Sequence, residues 1–382
     1  RMPKTLFLVC GEPSGEAYAA RVARAFRERF PDVPMEGIGS TLLAAEGVRL
    51  LRDYGDISVI GVTEALRRLP AIRAALSAAT ERVSRPDIGA VLLVDFPDFN
   101  FRVGRSAAGR GIPVVYYIPP QVWAWRPGRA KTLARFTKGA VVLFPFEVGF
   151  LRASGVNAVF AGHPILDEIA PFLDAPPDPE RFGIPPGKRG VGMLPGSRPG
   201  EVAAHLPILL AAARLLLQRF PDLHFALPVA RPSLREAIAR EVAGSGLPVA
   251  LVDEARQLLF RGLEAAMAVS GTVTLELALL GTPAVIVYRT SWLSYQIGRR
   301  LAKVDCVGLP NIASGEKFLA ELIQDDCTPP RIAGAMGEIL ADPALRVRLR
   351  AKGLSLRERL RGPGPTEAVV SMLGKEAAGA WA

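Results

Sequence analysis

Val191-Gly192-Met193-Leu194-Pro195-Gly196-Ser197-Arg198 is the stretch from which the architecture can be read. An apolar run stops at Pro-Gly, passes through Ser-Arg and is followed by the long apolar-rich segment from Glu201 to Phe220, which reads as strand, tight turn and helix start. Such a junction suits an anion. Backbone N–H groups and the helix dipole face outward, Gly196 permits close approach, Ser197 can cap or donate, and Arg198 can fork onto phosphate oxygens. On these residues alone an ordinary turn with a solvated arginine stays open, since short motifs misfire often.

A chain of 382 residues favours two domains over a single core, and 49% apolar residues suffice to fill both. The net charge of +10 points to an anionic partner, a nucleotide or phospholipid headgroups. Neither an RNA-binding pattern of aromatics and basics nor a zinc-finger spacing occurs, so nucleic acid is not expected. Cys10, Cys306 and Cys327 lie far apart without a Cys-x-x-Cys, which argues for a reducing compartment and against disulfides or structural zinc. Strand-like sequence from Thr5 leaves no room for a leader peptide, and Arg214, Glu264 and Glu276 break the longest apolar runs, so no membrane span is expected.

Short β-rich runs alternate with helical segments along the chain. Thr5 to Cys10, Ile88 to Val94, Val114 to Tyr117, Ala140 to Leu143 and Ala158 to Phe160 read as strands of a first domain, with a helix from Gly15 to Arg29. Pro171, Pro176, Pro177, Pro179, Pro185 and Pro186 then interrupt the pattern, and it resumes with strands at Val191 to Leu194, His224 to Leu227, Val249 to Val252, Ala266 to Val269 and Ala284 to Val287. The expected organisation is α/β: two Rossmann-like doubly wound domains, residues 1–165 and 188–345, joined by a Pro-rich linker at 166–187 and facing an interdomain cleft. A basic helical segment at 346–382 is expected to pack back on the first domain; a solvated helix face reads equally well there.

The chemistry belongs at the strand ends. Gly11-Glu12-Pro13-Ser14-Gly15-Glu16 has neither the glycine pattern of a dinucleotide site nor the Gly-Lys-Ser/Thr of a P-loop, which disfavours NAD and ATP. Asp95-Phe96-Pro97-Asp98-Phe99-Asn100 puts two carboxylates at a strand terminus, where Asp98 is either a general base or the cap of a helix beginning at Phe99. Trp123 and Trp125 sit in a Pro-bounded loop, as the wall of an acyl or sugar site or as core; His163 is a proton carrier, a phosphate ligand or structural. Ser270-Gly271-Thr272-Val273-Thr274-Leu275-Glu276 repeats the strand–glycine–helix pattern, with Glu276 able to accept from ribose hydroxyls. Leu309-Pro310-Asn311 and Gln324 add polar groups at a further loop end.

Taken together, Gly-Glu-x-Ser-Gly at 11–15, Pro-Asp-Phe-Asn at 97–100, Val-Trp-Ala-Trp-Arg-Pro at 122–127, Leu-Phe-Pro-Phe-Glu at 143–147, Gly-His-Pro at 162–164, Leu-Pro-Gly-Ser-Arg at 194–198, Ser-Gly-Thr-x-Thr-Leu-Glu at 270–276 and Leu-Pro-Asn at 309–311 resemble the lipid-A-disaccharide synthases. The resemblance implies the GT-B architecture and an inverting transfer. In it, UDP-2,3-diacylglucosamine and 2,3-diacylglucosamine 1-phosphate (lipid X) give the lipid A disaccharide 1-phosphate and UDP. It gives Asp98 the place of the base, and to UDP the residues Gly196, Ser197, Arg198, Ser270, Gly271, Thr272, Glu276, Asn311 and Gln324. Glu12, Ser14, Gly15, Glu16, Asn100, Trp123, Trp125 and His163 fall near the acceptor sugar or support the site.

No metal or other cofactor is expected, since Asp95-x-x-Asp98 lacks the Asp-x-Asp spacing of metal-dependent transferases. Acylated substrates imply peripheral attachment to the cytoplasmic face of the inner membrane, through Arg67, Arg68, Leu69, Ile72 and Arg73, helped by Trp292, Arg299, Arg300 and Lys303; homodimer formation is left open. The chain departs from the family pattern at Glu16, where Asp is usual, at Tyr116, where His is common, at Pro120-Gln121, and at Gly315-Glu316-Lys317, which lacks an arginine. A UDP-N-acetylglucosamine 2-epimerase-like enzyme and a non-enzymatic protein binding anionic lipid are the alternatives.

Overall fold

The computed structural model describes residues 3–56, 62–121, 128–290 and 306–381. They form two units, the described residues up to 164 with 360–381, and 165–290 with 306–359.

The first unit holds β1 (Thr5–Val9), α1 (Pro13–Arg29), β2 (Met35–Gly39), α2 (Thr41–Ala45), β3 (Arg49–Asp53), α3 (Val62–Arg82), β4 (Ile88–Val94), α4 (Pro97–Ala108), β5 (Val114–Tyr117), α5 (Gly128–Phe136), β6 (Gly139–Val142), α6 (Pro145–Ala153) and β7 (Ala158–Phe160). The strands run parallel in the order β3-β2-β1-β4-β5-β6-β7. β1 and β4 are buried throughout and almost wholly apolar because both faces of this sheet are covered. Alternation along β1 sends Phe7 and Val9 to a core shared with Ala75, Phe101 and Phe136, while Leu6 and Leu8 meet Val22 and Phe26 of α1 on the other side.

The second unit holds α7 (Ile165–Ile169), β8 (Arg189–Leu194), α8 (Pro199–Arg219), β9 (Leu223–Pro228), α9 (Arg235–Ser245), β10 (Val249–Val252), α10 (Arg256–Gly262), β11 (Ala265–Val269), α11 (Thr272–Leu279), β12 (Ala284–Tyr288), α12 (Leu309–Ser314), β13 (Glu321–Ile323), α13 (Pro329–Ala341) and α14 (Pro343–Leu360). Its sheet is also parallel, ordered β10-β9-β8-β11-β12-β13. In each unit the strand order reverses once, between β1 and β4 and between β8 and β11. In such sheets that reversal is where ligands bind, outside the carboxyl ends of the strands.

Three sequence expectations are corrected. The Pro-rich stretch 166–187 is part of the second unit rather than a linker, because Phe182 and Ile184 bury their side chains there. The basic segment 346–382 is divided between the units. Residues 346–359 stay with the second unit, where Arg357 donates to the Leu279 carbonyl at 2.6 Å, Lys352 pairs with Glu316 at 2.8 Å, and Arg346 donates to Leu340 O at 2.8 Å. From Leu360 the chain belongs to the first unit, where α15 (Pro365–Glu376) lies on α1 through Val369, Val370 and Leu373, and α16 (Ala378–Trp381) ties Trp381 Nε1 to Lys4 O at 2.9 Å. Finally, α8 does reach the length and apolarity of a membrane span. Val202, Leu206, Leu209, Ala212, Ala213 and Leu216 nevertheless point into the core of the second unit.

Candidate active site

At the reversal in the first unit, the turns after β1 and β4 lie side by side. α1 starts at Pro13, two residues earlier than the sequence suggests, with Glu12 as its N-cap. Gly11 is required by its neighbour: a β-carbon there would overlap the Phe96 ring, which stacks on Phe99. Gly15, in the first turn of α1, faces the Asp95 side chain, its β-carbon position lying 3.6 Å from Asp95 Cβ. Ser14 is exposed. Glu16 is committed to the fold. Its buried carboxylate accepts from Ser40 N at 2.6 Å and Leu43 N at 3.1 Å, capping the first turn of α2, a job either Asp or Glu could do given the right reach.

The two carboxylates after β4 have different surroundings. α4 begins at Pro97 with Phe96 as N-cap, so Asp98 lies in the first turn and is not the cap of a helix starting at Phe99. Its side chain is 82% exposed and paired with Arg129 at 2.5 Å. Asp95 is the more enclosed group. Burial, and then the negative charge of Glu12, push its carboxyl up to about 6, against a single opposing backbone hydrogen bond from Phe96. Asp95 and Phe96 both adopt left-handed backbone, with φ of 48° and 49°, and the neighbouring strand exits through Ile118 at φ 57°. Each such non-glycine conformation costs on the order of 1–3 kcal/mol and persists where its surroundings enforce it, commonly at functional sites.

Buried hydrogen bonds enforce it here. The Asp95 carbonyl accepts from Tyr116 Oη and from Asn100 Nδ2, each at 2.7 Å, and Asn100 Nδ2 also reaches Val94 O at 3.3 Å. Asn100 therefore supports this turn from inside the core. His163 is structural. It is buried against the edge of Phe144, its backbone N–H donates to Leu360 O at 2.8 Å, and burial lowers its pKa to about 3, so it is neutral near pH 7 and offers no charge to a phosphate.

The reversal in the second unit is built from backbone donors. Gly196 takes φ +115° and Arg198 is the N-cap of α8, exposed beside the turn. The Ser197 N–H donates to Glu201 Oε2 at 3.1 Å. After β11, Ser270 Oγ contacts Val307 O at 3.3 Å and Gly271 caps α11, whose first residue Thr272 is exposed. Glu276 is buried and already holds Gln257 Nε2 at 2.7 Å and Arg256 Nη2 at 3.0 Å. These two partners escaped the sequence reading because α10, which carries them, starts after Ala255 at a left-handed φ of 53° with no glycine to mark the turn.

Asn311 and Gln324, expected to contact UDP, have their side-chain hydrogen bonds spent within the unit. Asn311 Oδ1 accepts from Phe318 N and Leu319 N, and its Nδ2 donates to Leu319 O and Glu321. Gln324 grips both the N–H and the carbonyl of Thr290. Both side chains hold loops of the second unit in place.

Trp123, Trp125, Trp292, Arg299, Arg300 and Lys303 lie outside the described residues, as do the side chains of Arg67 and Arg68. In the proposed membrane-facing helix α3, Leu69 and Arg73 are exposed, whereas Ile72 is half-buried against the first unit's core and so faces inward.

Two parallel doubly wound units of this kind define the GT-B class. The chain is similar over 98% of its length to the calicheamicin glycosyltransferase (TM-score 0.60, 16% identity, 99% of that chain covered). It is similar over 97% to a UDP-GlcNAc 2-epimerase from Neisseria meningitidis (TM-score 0.63, 12% identity, 99% of that chain). At these identities the fold alone is shared. A family profile described as lipid-A-disaccharide synthetase matches residues 6–357, and the lipid-A-disaccharide synthase of Geobacter sulfurreducens is 40% identical over 377 residues, covering 97% of this chain and 98% of that one. The chain belongs to the lipid-A-disaccharide synthase family, and is a glycosyltransferase of lipid A biosynthesis.

Proposed function

We propose that the enzyme transfers 2,3-diacylglucosamine from UDP to the 6-hydroxyl of lipid X with inversion, and that Asp95 is the general base. The observation that carries this reading is the environment of Asp95: a carboxyl pushed up to about 6, at the strand-order reversal, in a turn held in a strained conformation. A base poised near the working pH combines an adequate ionised fraction with real proton affinity. Asp95 takes the proton of the attacking hydroxyl as its oxygen bonds to the anomeric carbon. The bond from that carbon to the UDP oxygen breaks, and UDP leaves with the electron pair.

The charge growing on the diphosphate meets Arg198 and the N-termini of α8 and α11, with Gly196, Ser197, Ser270, Gly271 and Thr272 supplying the surrounding backbone and hydroxyl donors. Glu201 must then release the Ser197 N–H to the ligand. Glu276, fixed by Arg256 and Gln257, retains lone-pair capacity for the ribose hydroxyls. The sequence reading placed the base at Asp98; exposure and the Arg129 pair favour Asp95 instead.

No metal takes part in this scheme. Mass spectrometry of a reaction containing UDP-2,3-diacylglucosamine, lipid X and EDTA tests it: a tetraacyl disaccharide phosphate with UDP is expected, and product appearing only after Mg²⁺ is added would refute the metal-free reading. Peripheral attachment at the cytoplasmic membrane face is part of the proposal, supported by the exposed Leu69 and Arg73 on α3 and the net charge of +10. Replacing Arg67, Arg68 and Arg73 by glutamine should weaken co-sedimentation with anionic liposomes at low salt; unchanged binding would place the contact elsewhere.

A further inference from the structure

We infer that Tyr116 and Asn100 are positioning residues for proton transfer, holding the Asp95 carbonyl and thereby the direction in which the Asp95 carboxylate points. The inference rests on the assignment of Asp95 as base. In the pairing of β4 with β5, Tyr116 lies opposite Leu93 and Tyr117 opposite Val94. The ladder is carried one step further by Asp95 N–H donating to Tyr117 O at 3.1 Å. Beyond that bond the backbone turns left-handed, and the Asp95 carbonyl would be left without a partner in the core.

Two elements supply that partner. Tyr116 from β5 and Asn100 from α4, both fully buried, converge on the one oxygen, filling its two lone pairs. The Asn100 backbone N–H meanwhile donates to Phe96 O at 3.0 Å, so the peptides on either side of Phe96 are both held.

The chemistry of each side chain matches a holding role. Burial raises the Tyr116 phenol well above its usual range, keeping it protonated and a donor. Asn100 directs its amide nitrogen at the Val94 and Asp95 carbonyls, and Oδ1 stays buried with no hydrogen-bond partner. The flipped amide would set oxygen against two carbonyl oxygens, so the donor orientation is fixed by its surroundings. A buried acceptor left unsatisfied is unfavourable, and here it accompanies the grip on Asp95. Because the backbone angles of a residue fix where its β-carbon points, this grip sets the aim of the carboxylate.

The test is a mutant cycle of Tyr116→Phe and Asp95→Asn, with kcat and KM for both substrates and thermal stability measured on each protein. Tyr116→Phe keeps the ring packed on Phe101 and removes only the hydroxyl. It should lower kcat roughly tenfold, the scale of one well-placed hydrogen bond, with both KM values within about twofold of the parent. In the Asp95→Asn background the same change should leave the residual rate unaltered, since there is no longer a base to aim. Asn100→Leu, which removes the donor at similar size and adds no charge, should show the same pattern. A parental kcat in Tyr116→Phe, or an equal loss in both backgrounds, would overturn the positioning role. Parental turnover in Asp95→Asn would instead overturn the base assignment.

Discussion

The two strand-order reversals share a topology and differ in how their charges are balanced. In the second unit the carboxylates have partners: Glu276 holds Arg256 and Gln257, Glu321 accepts from Val307 N and Gly308 N, and Glu201 accepts from Ser197 N. In the first unit Asp95 faces Glu12, a like charge, and sits on two consecutive left-handed residues. A turn whose donors and acceptors are matched is suited to hold a ligand. One that keeps a carboxylate poorly solvated, beside another negative charge, is suited to take a proton. On the proposed function, the same architecture serves binding at one reversal and chemistry at the other.

The comparison breaks most sharply at Asp95. Asp95→Asn should lower kcat by about 10²- to 10⁴-fold, the usual contribution of a general base, while Asp98→Asn should stay within a few-fold of the parent; steady-state assays on both variants decide it. Next in size is Gly11→Ala. The new β-carbon would displace the Phe96 ring, and with it the turn that carries Asp95, so a fall in kcat on the order of tenfold or more is expected, accompanied by a lower melting temperature. A smaller and different effect belongs to the second unit. Arg198→Ala should raise KM for the UDP-sugar roughly tenfold, the scale of a lost charge-assisted hydrogen bond, with the acceptor KM little changed. If Arg198→Ala altered kcat alone, the division between a binding reversal and a chemical one would fail.

The outline of both units was legible because parallel strands buried on both faces are continuous apolar runs, as at Ile88–Val94 and Ala284–Tyr288. β2, β3 and β13 were not recognised. Met35-Glu36-Gly37-Ile38-Gly39 carries two glycines that no strand pattern favours, and Gly37 is there because a β-carbon would run into the Leu8 backbone of β1. β3 lies at the sheet edge with Arg49 and Arg52 exposed, and β13 has only three residues. The site turns were found as motifs, whereas the roles within them depend on distant neighbours. Nothing local in the sequence shows that Glu16 caps α2, that Asn311 closes its own loop, or that Arg129 reaches Asp98 while Asp95 is left facing Glu12.

The central claim is tested most directly by the pH dependence of kcat/KM for the parent enzyme and for Asp98→Asn. A base must be ionised to act, so activity should fall as the pH drops through the pKa of Asp95, giving an acid limb near 6 in both proteins. A limb at about 4, the ordinary carboxylate value, or one that disappears in Asp98→Asn, would contradict the assignment of Asp95 as the base.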